Sequence, residues 1–136
     1  MGFQMIGLDT NVLVRYLMQD DLRQSAQATA LMETLSATNR GFVSLVVISE
    51  LVWVLSYVFR LSRNDVNATL GILARMPELR LEKVVVFLRA LRLCNTTSAD
   101  FADCLIVSVA KRAGCSHTVT FDRKAAAKLP NMERLD

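Results

Sequence analysis

Five acidic residues stand where a strand would give way to a helix, or in the first turns of a helix: Asp9, Glu50, Asp100, Asp103 and Asp122. An acid at such a junction has a plain role, since negative charge at a helix N-terminus complements the dipole by roughly 0.3–1 kcal/mol. Asp100, closest to the start of its helix, fits that role best. Taken together the acids ask for more. Converging carboxylates repel one another and are costly to gather in a partly buried crevice without a counter-charge. Arg123, directly after Asp122, is the only basic residue at an equivalent junction. A hard, oxygen-seeking divalent cation would hold such a set, and Mg²⁺ or Mn²⁺ is the natural choice. Metal-bound carboxylates of this kind suit phosphoryl chemistry, by polarising a phosphate oxygen and lowering the pKa of a bound water. No serine elbow and no cysteine–histidine pair competes for the role.

The elements that must place these acids follow from hydrophobic pattern and punctuation. Met5 to Leu8 is a short apolar run, read as a buried strand that delivers Asp9 to its carboxyl end. Thr10 and Asn11 turn the chain into a helix over about Asn11 to Met18. Asp21 caps a second helix, about Leu22 to Leu35. Phe42 to Val47, rich in valine, predicts a second buried strand. Ser49 is the expected cap of a helix to Phe59, with Glu50 in its first turn. That helix is apolar nearly all round, which implies deep burial or a partner surface. Ser62 to Asp65 resembles a capping box, and Pro77 stops the helix that follows. Leu79 to Leu81 alternates as a short edge strand, and a helix is expected over about Glu82 to Leu93. Ser98 is the expected cap of a helix to Arg112, closed by Gly114. Its Asp100 and Asp103 are three residues apart and so share a face. His117 to Phe121 is the strand that delivers Asp122. Arg123 to Leu129 is a short helix, and Met132 to Leu135 a last strand. Strands alternating with helices predict a parallel, doubly wound α/β sheet, whose working crevice lies outside the carboxyl ends of the strands.

Bulk properties fit that picture. At 136 residues, 52% hydrophobic and 21% charged, the chain is expected to be one globular domain. No apolar run approaches the ~20 residues of a membrane span, and no signal peptide is read at the N-terminus. Met1-Gly2 lacks the Ser or Thr that myristoylation requires, because Ile6 stands there. A cytoplasmic protein is expected. Cys94, Cys104 and Cys115 read as small buried residues, and with His117 the only histidine, a zinc site is not expected. A net charge of +3 despite clustered acids leaves a surface basic enough to tolerate a polyanion.

Four pieces, in this order, resemble the PIN-domain family, and within it the VapC-type toxins of bacterial toxin–antitoxin pairs. They are Leu8-Asp9-Thr10-Asn11, Ser49-Glu50-Leu51, Asp100-Phe101-Ala102-Asp103-Cys104-Leu105-Ile106 and Thr120-Phe121-Asp122-Arg123. Each is short; the ordered set spans nearly the whole chain. The resemblance implies a three-layer α/β/α fold around a central five-strand parallel sheet. Its first strand would be central and next to the fourth, bringing Asp9 beside Asp122. It also implies a Mg²⁺- or Mn²⁺-dependent endoribonuclease that uses metal-activated water and leaves 5′-phosphate and 3′-hydroxyl ends. Asp9 and Asp103 match the principal metal-binding acids, Glu50 the third and Asp122 the fourth. Asp100 matches an additional acid of the subgroup. Thr10, Asn11 and Thr120 match positions that orient carboxylates or water. Family analogy further implies a homodimer and a VapB-like antitoxin, with the Ser49–Phe59 helix and the helix after it as contact surfaces. Trp53 and Tyr57 serve equally well as core residues. Among the basic residues, Arg123 is the best placed to meet RNA.

Two rival readings differ in chemistry. A haloacid-dehalogenase-like phosphatase or phosphotransferase also begins with an acid after a strand, but it needs a second aspartate where Asn11 stands. A non-catalytic PIN-like binding module would keep the fold without metal-dependent cleavage.

Overall fold

In this computed structural model, which describes residues 4–136, β1 (Gln4–Gly7) pairs in parallel with β2 (Asn39–Val43), and β2 with β3 (Leu79–Leu81). Met1 and Gly2, considered above for lipidation, lie outside the described residues. The chain divides into two compact units, Met1–Glu82 and Lys83–Asp136.

In the first unit, parallel pairing demands long crossovers. α1 (Thr10–Met18) and α2 (Leu22–Thr34) supply one; α3 (Leu45–Trp53), a π-helical segment Val54–Val58 and α4 (Arg63–Arg75) supply the other. Asp21 and Ser62 cap their helices as expected, accepting from the backbone N–H of Gln24 and Asp65. α3 departs from expectation. Its cap is Ser44, not Ser49, so the second strand ends at Val43 and Val46 and Val47 are helical. Ser44 Oγ takes the N–H of Val47, and Glu82 Oε1 takes that of Leu45 at 2.9 Å. Two donors that a helix start leaves orphaned are thereby satisfied. A cap is worth about 1 kcal/mol, which offsets the strand preference of two valines. Leu13, Val14, Val43, Ile48, Leu51, Leu55, Leu70 and Leu73 are fully buried here. β1 is less buried than its composition predicts: Met5 and Ile6 are 54% and 41% exposed, and burial begins at Leu8.

In the second unit, α5 (Val84–Thr97) packs on α6 (Phe101–Arg112), with the rings of Phe87 and Phe101 6.0 Å apart. α5 runs past Leu93 because the hydroxyls of Thr96 and Thr97 bond back to the carbonyls of Arg92 and Leu93. Ser98 therefore ends α5 in a left-handed conformation and does not cap α6; Asp100 holds that N-cap position. Gly114 closes α6 at φ 102°, where a side chain would be strained. β4 (Thr118–Thr120), α7 (Arg123–Lys128) and β5 (Met132–Arg134) complete the unit, with β4 and β5 parallel. Cys94 and Cys104 are buried as expected, whereas Cys115 is exposed.

The fold is thus mixed α/β with parallel strands. Among the described residues its hydrogen bonds form a three-strand sheet, β1-β2-β3, and a separate β4-β5 pair, not one sheet of five. β1 lies at the edge of its sheet rather than at the centre. Strand order depends on which distant segments meet, and strands of three to five residues carry too little local pattern to specify a partner.

Gly41 on β2 has a steric reason. A Cβ there would stand 2.6 Å from Leu8 Cδ1 and 3.0 Å from Leu35 Cδ1, both on buried side chains. Gly41→Val should cost about 1–3 kcal/mol through overpacking, with Gly41→Ala in between. Chemical denaturation of the three proteins checks the order; equal midpoints would contradict it.

Candidate active site

The second unit gathers three of the expected acids. Asp100 occupies the N-cap of α6, and Asp103 falls in the helix's first turn. Asp122 caps α7, its Oδ1 accepting from the N–H groups of Lys124 and Ala125 at 2.9 and 3.1 Å. Thr120 Oγ1 accepts the N–H of Asp122 at 3.0 Å, which fixes the turn that presents this carboxylate. Asp103 senses the other two. The carboxyl of Asp103 is held above the ordinary aspartate range, first by burial, then by the charge of Asp100, then by that of Asp122. The α6 dipole acts the other way, by only some 0.3–1 kcal/mol, so burial and repulsion prevail.

Capping separates these acids by use. Asp21 and Asp122 commit an oxygen to helix N–H groups. Asp9 and Asp100 occupy N-cap positions and make no side-chain cap bond. For these two, cap hydrogen bonding does not account for the acid, and complementing the helix dipole is the ordinary role that remains.

The first unit carries the rest of the expected set. Asp9 stands at the head of α1, and Thr10, the first residue of that helix, is buried. Thr10 Oγ1 donates to Glu50 Oε1 at 2.6 Å, tying the start of α1 to α3 across forty residues of sequence. Glu50 lies in the second turn of α3, not the first as expected, because the helix starts at Leu45. Asn11 is exposed on α1. The family resemblance implied an orienting role for Thr10 but did not name its partner.

The basic residues sort by occupation. Arg15 is engaged with Asp20 at 3.0 Å and with Gln24. Arg123 is exposed at the start of α7, beside Asp122. Among the described residues, none of Asp9, Glu50, Asp100, Asp103 and Asp122 is in a salt bridge. His117 sits beside Glu133, at 3.5 Å, and Ser116, and these contacts involve none of the expected site acids.

These residues fit a hard divalent ion by donor chemistry, since all are oxygen donors and the second-unit group carries uncompensated repulsion. No group of three or more His, Cys, Asp or Glu among the described residues is arranged around a common ion position. Mg²⁺, however, keeps several waters and is commonly held by one or two carboxylates. Asp103, and Asp122 through its Oδ2, are the second-unit residues that would hold it.

The PIN domain family matches residues 6–130, and the chain belongs to that family. PIN domains are generally metal-dependent nucleases, which places the protein, at that level, among nucleic-acid hydrolases. Comparison with curated proteins found no match. No helix among the described residues is long and apolar enough to cross a membrane.

The direction of the Asp103 shift fixes a pH dependence. A carboxyl whose folded pKa is raised destabilises the fold when charged. In metal-free solution, this group's contribution improves as pH falls through its raised folded value, and levels off below the unfolded value of about 3.9. Asp103→Asn should therefore melt higher than wild type at pH 7 without metal, and the advantage should vanish near pH 3.5 or below. Thermal melts at both pH values test this, and a lower melting temperature for the variant at pH 7 would contradict it.

Proposed function

We propose that the protein is the toxic component of a type II toxin–antitoxin module of the VapBC kind. It would be a Mg²⁺- or Mn²⁺-dependent endoribonuclease that hydrolyses RNA phosphodiesters. The observation that carries this reading is the group Asp100, Asp103 and Asp122, whose mutual repulsion has no cationic partner among the described residues, in a chain of the PIN family. Asp9 and Asp103 are assigned as principal ligands, with Glu50 and Asp122 beside them and Asp100 in support. The family match crosses both units, which supports treating them as one domain and carries with it the expectation of one five-strand sheet.

When bound, the divalent ion supplies charge for the phosphodiester oxygens and acidifies a coordinated water. The chain's own groups do the positioning. Thr10 holds Glu50 in one orientation through its hydroxyl. Thr120 fixes the backbone at Asp122, whose Oδ1 is spent on the α7 cap while Oδ2 remains for other work. Arg123, exposed at the next residue, is suited to a substrate phosphate.

An exposed apolar strip on α3 and the π-helical segment supports a protein partner. Val46, Trp53, Tyr57 and Val58 are each more than half exposed, and the Trp53 and Tyr57 rings lie 5.7 Å apart. The exposure disfavours reading these two aromatics as core. A small antitoxin, and a second copy of the chain, are the partners this reading assigns, in the cytoplasm.

The test is RNA cleavage in vitro with Mg²⁺ or Mn²⁺, followed by end mapping. Wild type should leave 5′-phosphates and lose activity with EDTA. Asp9→Asn and Asp103→Asn should each lose at least about 100-fold, and Thr10→Val about 10-fold, as supporting groups around metal ligands do. Full activity in Asp103→Asn, or cleavage that persists in EDTA, would contradict the reading. RNA binding without cleavage by wild type would favour the non-catalytic module instead.

A further inference from the structure

Glu82, directly after β3, makes a bond that a regular sheet would not contain. The β2–β3 register sets Phe42 opposite Arg80 and Val43 opposite Leu81. In such a parallel ladder the bonds are evenly spaced, so each recurs at a fixed step along both strands. At the amino end of the pair, the N–H of Gly41 donates to the backbone carbonyl of Glu78 at 2.8 Å. The same bond four residues further on would run from the N–H of Leu45 to the carbonyl of Glu82. The ladder reaches that point, because the Glu82 N–H donates to the Val43 carbonyl at 2.9 Å. There the pattern changes: the N–H of Leu45 donates to Oε1 of the Glu82 side chain, also at 2.9 Å. The carboxylate of Glu82 has replaced its own backbone carbonyl as acceptor.

That exchange decides what Leu45, Val46 and Val47 become. Valines favour strand. With the backbone carbonyl as acceptor, β2 would run on through them and leave Ser49 as the next residue suited to cap a helix. With the Glu82 carboxylate and Ser44 Oγ as acceptors, the first turn of α3 forms at Leu45 instead. A half-buried carboxylate at this place also complements the dipole of α3. The early start carries Glu50 into the second turn, where the Thr10 hydroxyl meets its Oε1 at 2.6 Å. A residue rises about 3.3 Å in a strand and 1.5 Å in a helix. Converting three residues from helix to strand would therefore shift the chain ahead of Glu50 by about 5 Å, beyond the reach of a threonine hydroxyl.

We propose that Glu82 is a positioning residue for Glu50. Its side chain turns residues 45–47 from strand into helix, and the helix so started sets Glu50 against Thr10. Glu82 acts through the backbone of α3, and its reach matters more than its charge, because the bond it makes is to a single N–H group. Its bearing on metal binding rests on the reading of Glu50 as a ligand given above; the change from strand to helix does not.

The test is nuclear magnetic resonance of the full-length, isotope-labelled protein in EDTA, followed by Mn²⁺ titration after the chelator is removed. Three variants separate the possible roles of Glu82. Glu82→Gln keeps an oxygen acceptor at the same reach, Glu82→Asp keeps the charge but is one methylene shorter, and Glu82→Met has no acceptor. Glu82→Gln should keep helical carbon shifts at residues 45–47 and the wild-type resonance of the Glu50 carboxyl carbon. Glu82→Asp and Glu82→Met should move the shifts of residues 45–47 toward strand values. Amide exchange at Leu45 should quicken at least about fivefold, the measure of a lost cap. The Glu50 carboxyl resonance should move to where Thr10→Val places it. Mn²⁺ affinity should fall about tenfold in these two variants and hold in Glu82→Gln. An unmoved Glu50 resonance with helical shifts at residues 45–47 in Glu82→Asp overturns the proposal, and this variant decides if Glu82→Met does not fold. Equal losses in Glu82→Gln and Glu82→Met overturn it too. Spectra that change as expected while Mn²⁺ affinity stays level uphold the positioning of Glu50 and contradict its reading as a ligand.

Discussion

Like charges held close together are the constraint on which the rest of this structure turns. Partial burial makes Asp103 resist ionisation, and the charges of Asp100 and Asp122, in that order, add to the effect. A fold under selection for stability alone has easier ways to start α6 and α7, since serine caps a helix without repulsion, as Ser44 and Ser62 do in the same chain. On the function proposed above, the stability given up at this point is the cost of a site that a cation would complete.

The surrounding structure keeps these carboxylates from relaxing away. α6 is anchored through Phe101 and Cys104, both buried, and by the packing of Phe101 on Phe87 of α5. With those residues fixed, Asp100 and Asp103 have one helical face to occupy. The turn before α7 is held by Thr120 from one side and by the Asp122 cap from the other. In the first unit, the buried Thr10 hydroxyl performs a comparable task for Glu50. Both threonine hydroxyls are neutral: Thr10 orients its carboxylate directly and Thr120 acts through the backbone of Asp122, and neither cancels a charge.

Much of this was readable from residue order alone. Asp21, Ser62 and Gly114 mark helix ends through local side-chain and backbone chemistry, and the structure keeps them there. The acids at the starts of α1, α6 and α7 were found in the same way. What escaped was non-local. The early start of α3 depends on Glu82, thirty-seven residues from the Leu45 N–H that it accepts. The extra turn of α5 follows from threonine hydroxyls that read as loop formers in sequence. The sheet connectivity and the exposure of β1 are tertiary outcomes with no short-range signature. Trp53 and Tyr57 show the same limit, since helical spacing fixes a shared face but not whether that face is covered.

The central claim is that repelling carboxylates exist to hold a divalent cation, and direct Mn²⁺ binding tests it without any assumption about substrate. Calorimetric titration of the metal-free protein should give saturable binding in wild type, with affinity falling at least about tenfold in Asp103→Asn, in line with the loss of a metal-site group. Identical Mn²⁺ affinity in the two proteins, or none in a folded wild type, would contradict the account.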